Sequence, residues 1–170
     1  MNTFDAIQAR HSVRAYQPRP IEPANWDLLL QAISRAPSAG NLQAYQVYVI
    51  RNDGTKRRLA RAALGQEFLA QAPVVLVFCA CPQRSAKYGR RGAELYCLQD
   101  ATIAVAYAQL AATAAGLATC WIGAFDEGEV AQVLDLPTAE RPVAMLPIGY
   151  AAEGPRKRER RSLEELIHTS

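Results

Sequence analysis

Between Leu95 and Ala115 the chain writes a long helix with almost no polar face. Its longest apolar run, Ala101 to Ala118, contains Thr102, Tyr107, Gln109 and Thr113. Such a helix must be covered on nearly every side, as the central helix of a core or as an oligomer contact. The run is borderline for a membrane span. The remaining sequence reads as a soluble mixture of helices and strands, so we expect a buried helix, ended by Gly116. At 170 residues and 50% hydrophobic, the chain can build one domain over residues 1–170 around it.

Other elements follow from local chemistry. Thr3 to Arg10 reads as a short helix with Phe4 and Ile7 on one face and Asn2 or Thr3 as its cap. Pro18 and Pro20 break any continuation. Pro23 to Ala36 reads as an amphipathic helix with Trp26, Leu29, Leu30 and Ile33 turned inward. Tyr45 to Ile50 alternates aromatic and branched residues as a strand. A basic-faced helix is expected from Thr55 to Leu64. Pro73 to Cys81 is apolar throughout, which marks a strand buried on both faces. Pro82 to Gly92 is polar and basic and reads as a loop or mobile lid. Leu117 to Phe125 reads as a strand, Asp126 caps a helix through Leu134, and Pro142 to Tyr150 forms another strand. Ser162 and Glu165 make a capping box for a terminal helix. Strict strand–helix–strand alternation is absent.

The chemistry-bearing residues exclude several classes. Cys79, Cys81, Cys97 and Cys120 form no CxxC pair, so they read as small buried hydrophobes of a reducing cytosol. With two histidines, His11 and His168, a histidine-rich metal site is excluded. Neither lies in a recognisable nucleophile context. The N-terminus lacks a basic stretch followed by an apolar one, so no signal peptide is expected. Net charge is only +3, yet arginines concentrate at Arg10-His11-Ser12-Val13-Arg14 and at Arg156-Lys157-Arg158-Glu159-Arg160-Arg161. Two guanidinium forks and a hydroxyl within five residues suit a phosphate. They equally suit a solvated basic face.

Further candidates lie between the clusters. Pro37-Ser38-Ala39-Gly40-Asn41-Leu42-Gln43 packs three hydrogen-bonding side chains around a glycine and can meet a ligand's hydroxyl and carbonyl groups, or simply connect helix to strand. Gly116-Leu117-Ala118-Thr119-Cys120-Trp121-Ile122-Gly123 can offer backbone amides and an apolar wall to a flat heterocycle, or serve core packing.

The order and spacing of these segments carry more than any one of them. Arg10 to Arg14, Ala36 to Gln43, Gly116 to Phe125, Leu146-Pro147-Ile148-Gly149-Tyr150 and the late arginine-rich segment together resemble the nitroreductase family of FMN-dependent oxidoreductases, over nearly the whole chain. That resemblance implies an α+β fold: a central, mostly antiparallel sheet flanked by helices, with a long buried central helix. It implies a homodimer with FMN sites at the subunit interface. Arg10 and Ser12 would hold the FMN phosphate with His11 beside them, and Arg158 and Arg160 would meet the same phosphate. Arg14 would lie near the pyrimidine edge of the flavin, where positive charge favours the anionic reduced form. Pro37, Ser38, Asn41 and Gln43 would reach the flavin from the partner subunit. Trp121, Ile122 and Gly123 would line its ring system. His11 stands where many members carry arginine, and Ala118 where glycine is frequent.

The resemblance further implies ping-pong transfer from NADH or NADPH, through FMN, to an acceptor such as a nitroaromatic or quinone. The flavin supplies the redox chemistry, so no dedicated nucleophile is needed. No G-x-G-x-x-G follows a strand, in keeping with a nicotinamide that stacks on the flavin. On the basic segment, Tyr88 is expected to stack on acceptors and Arg90 or Arg91 to meet nicotinamide phosphates. A flavin-storing or flavin-sensing protein is one alternative. A basic nucleic-acid-binding module is another, disfavoured because no aromatic residue interleaves with the 156–161 run. A cytoplasmic protein without membrane or nucleic-acid partners is the resulting expectation.

Overall fold

The computed structural model describes residues 1–155 and 159–169. Four strands form one antiparallel sheet in the order β1-β2-β4-β3: β1 is Tyr45–Ile50, β2 Val74–Ala80, β3 Ala118–Thr119 and β4 Arg141–Gly149. The continuous apolar character of β2 has a simple cause. Val74, Leu76, Phe78 and Ala80 point into one core cluster, while Val75, Val77 and Cys79 point into another. Both faces are covered, so neither tolerates polar side chains.

Helices α1 (Thr3–Ala9), α2 (Pro23–Ser34), α3 (Asp53–Ala62) and α4 (Phe68–Gln71) precede the centre of the chain. Asn2 caps α1 and Asn52 caps α3 through side-chain oxygens that accept backbone N–H bonds. The long helix α6 (Cys97–Ala114) and α2 cover one sheet face, with Leu29, Ile33, Ala101, Val105 and Ala108 inside. The opposite face is covered by α3, α4 and α7 (Glu127–Leu134). Gly116, in the left-handed region at φ 74°, ends the turn after α6. Asp126 caps α7, and Ser162 caps the final turn α8 (Leu163–Leu166).

Three expectations need correction. The segment 82–92 is not a loop: it runs through a 3-10 helix at Pro82–Tyr88 and a short turn α5 (Gly89–Arg91) into a π-helical turn at Gly92–Tyr96, which leads straight into α6. Its basic surface is that of an exposed helical face. Secondly, the strand expected over 117–125 is reduced to β3, because the chain leaves β4 after Thr119 and touches it again through Ile122 and Met145. Thirdly, Leu30 is exposed on α2, as are Phe4 and Ile7 on α1. Helix α6 is likewise open on one flank, at Thr102, Ala106 and Tyr107.

Candidate functional site

The segment after α1 docks on the free edge of β3. Ser12 bridges Thr119 in parallel fashion, and the Val13 amide donates to the Thr119 carbonyl at 3.0 Å. This brings Arg10, Ser12 and Arg14 to the sheet edge next to Thr119 and Cys120. Burial pushes the Cys120 thiol up, and the Arg14 charge, the Ser12 hydroxyl and Arg10 each pull it back. The Arg14 amide is fixed by Glu153 Oε1 at 2.6 Å, and its guanidinium stands 6.0 Å from the Phe68 ring centre. The half-buried His11 keeps Nδ1 2.9 Å from the Ala9 carbonyl. A carbonyl only accepts, so Nδ1 is assigned the proton. Buried Nε2 then has no hydrogen-bond partner among the described residues. Two guanidinium groups and a hydroxyl, with the His11 ring beside them, fit a phosphate-sized anion.

Trp121, Ile122 and Gly123 continue directly from Cys120. Ile122 is pinned by reciprocal backbone bonds with Met145 at 2.9 and 3.0 Å, Trp121 packs on the α6 side of the core, and Gly123 is exposed. A cleft of about 280 Å³ opens beside Gly123, lined by Leu98, Thr102, Phe125 and the Glu127–Arg141 ion pair. Gln66, which the sequence reading passed over, donates to the Ala124 carbonyl at 3.1 Å and so braces this segment. No local pattern marks it, because its backbone partner lies 58 residues further along the chain.

The second group of candidates lies elsewhere. Ser38 Oγ accepts from the Gln43 amide at 3.0 Å and from its side chain at 3.2 Å, while Gln43 Nε2 donates to Asn41 Oδ1 at 2.6 Å. Pro37 and Ser38 border a cleft of about 540 Å³ with Tyr96, Gln99, Thr102 and Ile103. Thr102 lines both clefts, so the two openings are neighbours along the exposed flank of α6. The sheet register, by contrast, separates the Ser12–Thr119 corner from the Pro37–Gln43 loop. Thr119 pairs with Ile148 at one corner, and Tyr45 reaches Arg141 through Ala80 at the diagonally opposite corner. Three inter-strand spacings and seven residues along β4 put these corners about 25 Å apart.

Tyr88 meets Tyr96 edge to face at 5.6 Å and packs over Gly40, where a Cβ would overlap its hydroxyl. Arg90 is engaged by Glu94 at 2.8 Å, and the Arg91 guanidinium lies 5.7 Å from the Tyr96 ring centre. Tyr88, Arg90 and Arg91 therefore form a basic, aromatic helical face beside the Pro37–Gln43 loop. Arg160 is exposed ahead of α8, and Arg158 lies outside the described residues.

With this geometry in hand, similarity to known proteins is informative. Residues 7–67 and 60–150 match the Nitroreductase family. An NADH dehydrogenase of Thermus thermophilus is 30% identical over 95% of this chain and 93% of its own. An FMN reductase [NAD(P)H] of Bacillus subtilis is 31% identical over 96% of this chain and 71% of its own. Among solved structures, NADPH:FMN oxidoreductase from Vibrio harveyi, complexed with NAD+, superposes with a TM-score of 0.91 at 25% identity, over 99% of this chain and 77% of that one. NfrA2 of B. megaterium gives 0.90 at 28% identity, over 99% and 74%. The sheet order, the helix α6 and the matched residues agree on one conclusion: the chain belongs to the nitroreductase family.

Proposed function

We propose that this protein is an FMN-dependent NAD(P)H oxidoreductase, acting as a homodimer in which each FMN site is built from both chains. One observation carries the reading. The Arg10–Arg14 cradle and the Pro37–Gln43 loop stand at diagonally opposite corners of one sheet, with Trp121–Gly123 running between them beside β4. One flavin cannot touch both groups within one chain, whereas a second copy docked on the open flank of α6 can supply the missing group. The exposed Phe4 and Ile7 of α1, which packs on α6, extend that flank with apolar surface.

In this reading residues 1–170 act as one FMN-binding unit. Arg10, His11 and Ser12 hold the phosphate, joined by Arg158 and Arg160 from the late basic segment. Arg14 presents a fixed positive charge to the pyrimidine edge of the ring. Trp121, Ile122 and Gly123 form a flat wall, and Gly123 lets the backbone approach closely. Pro37, Ser38, Asn41 and Gln43 come from the partner.

FMN supplies the electron-transfer chemistry when bound. Donor and acceptor use the same open face in turn, NADH or NADPH first and a nitroaromatic or quinone second. Among the described residues no helix is long and apolar enough to cross a membrane. Four free, buried cysteines suit a reducing cytoplasm, where we place the protein.

The direct test is the visible spectrum. Protein supplied with FMN should be yellow and should bleach on anaerobic addition of NADH or NADPH; failure to bind added FMN overturns the reading. The role of the 83–91 face has its own test. Arg91 is expected to raise the Michaelis constant for NAD(P)H several-fold when changed to alanine, and Arg90 less, because Glu94 already engages it. Unchanged constants in both Arg90→Ala and Arg91→Ala would remove the phosphate contact from the proposal.

A further inference from the structure

An aspartate, the one charged residue of helix α6, stands in its first turn. Asp100 is 2% exposed, and its two oxygens serve a single purpose. Oδ1 accepts the Ala39 amide at 2.9 Å and Oδ2 accepts the Ala44 amide at 3.2 Å. One carboxylate thus clasps both ends of the four-residue span from Gly40 to Gln43.

That span would not hold its shape unaided. Gly40, Asn41 and Gln43 all lie in the left-handed region, at φ 57°, 56° and 42°. Glycine adopts it freely, whereas the other two do so against their local preference. Strained backbone persists where its surroundings over-determine it. Two charge-assisted bonds to a carboxylate on a rigid helix meet that need from below. From above, Tyr88 closes over Gly40.

We propose that Asp100 is a positioning residue: it fixes the 39–44 loop to α6 in the shape that presents Asn41 and Gln43 to the partner's flavin. This rests on the composite FMN site proposed above. Both Asp100 oxygens are taken by the Ala39 and Ala44 amides, so in this role it acts through the loop. Because α6 also carries the open flank, the clasp ties loop geometry to the helix across which the two chains would meet. The effect belongs to the ring end of the cofactor, whereas Arg10 and Ser12 act at the phosphate.

The two ends give separable readouts. Wild-type, Asp100→Asn and Asp100→Glu chains are titrated with FMN and with riboflavin by flavin fluorescence, and hydrogen exchange is followed in peptides covering 38–44 and, as internal reference, β2 and β4. Asp100→Asn keeps the side-chain shape but turns an NH2 group against a backbone N–H donor. It should weaken FMN and riboflavin by the same factor, about tenfold. Exchange should rise in 38–44 and stay unchanged in β2 and β4. Asp100→Glu keeps both acceptors and should recover most of the lost affinity.

Asn-variant affinities within twofold of wild type overturn the role of Asp100, and so does equal exchange gain in β2. Equal losses in the Asn and Glu variants overturn it as well, since the two accepted bonds would then not be what matters. Wild-type protein that takes up no FMN overturns the cofactor reading, and the positioning role with it. Wild-type uptake alongside an unaffected Asn variant overturns the positioning role alone.

Discussion

Arg10→Ala is expected to weaken FMN binding about 10- to 100-fold while leaving riboflavin binding unchanged, because a hydrogen bond to a charged group is worth about 1.5–3 kcal/mol. Riboflavin lacks only the phosphate, so the pair of titrations isolates the cradle. Ser12→Ala should follow the same pattern with a smaller loss, since a neutral hydroxyl contributes less than a guanidinium fork. The effect should shrink as salt rises, because Arg10 is only half-buried and its charge is partly screened. An Arg10→Ala chain that loses FMN and riboflavin equally would mean that the segment after α1 had moved off Thr119. The phosphate assignment would then be wrong, and Arg10 would be a packing residue.

The sequence made the core legible where one physical cause dominates. Val74 to Ala80 could only be a strand covered on both faces, and Asn2, Asp126 and Ser162 announced helix starts through side chains that accept orphan amides. Where two causes produce the same composition, the reading went astray. Cys120 and Trp121 are apolar like a strand interior, yet Cys120 packs under Ser12 and Trp121 covers the α6 side of the core. The 82–92 segment is basic like a loop, yet Ser85 is fully buried with its hydroxyl on the Gly92 carbonyl at 2.9 Å, which locks the turns together. Phe4, Ile7 and Leu30 obey helical periodicity, but periodicity cannot say whether an apolar face meets its own chain or another. At the site, the residues with distinctive donors were visible one by one. The brace from Gln66 and the clasp from Asp100 depend on long-range backbone partners, which no local pattern encodes.

Mixing two defective chains should restore what neither has alone. An Arg10→Ala chain damages the cradle, and an Asn41→Ala, Gln43→Ala chain damages the loop. If each FMN site takes its cradle from one chain and its loop from the other, a mixed dimer holds one doubly damaged site and one intact site. Random pairing of equal amounts makes half of all dimers mixed, so about a quarter of the sites become wild type in a two-fold symmetric dimer. Co-expressed variants should therefore bind FMN tightly at about a quarter of the wild-type level, with NAD(P)H oxidation to match. Each variant alone should stay near zero at FMN concentrations well below its weakened affinity. A site contained in one chain gives the opposite result: every chain in the mixture carries one defect, and no tight site appears. The diagonal separation of Thr119 and Tyr45 across the sheet makes restoration the expected outcome. Absence of restored sites, with mixed dimers demonstrated by differently tagged chains, would place both groups on one subunit's flavin and require the Pro37–Gln43 loop to leave α6.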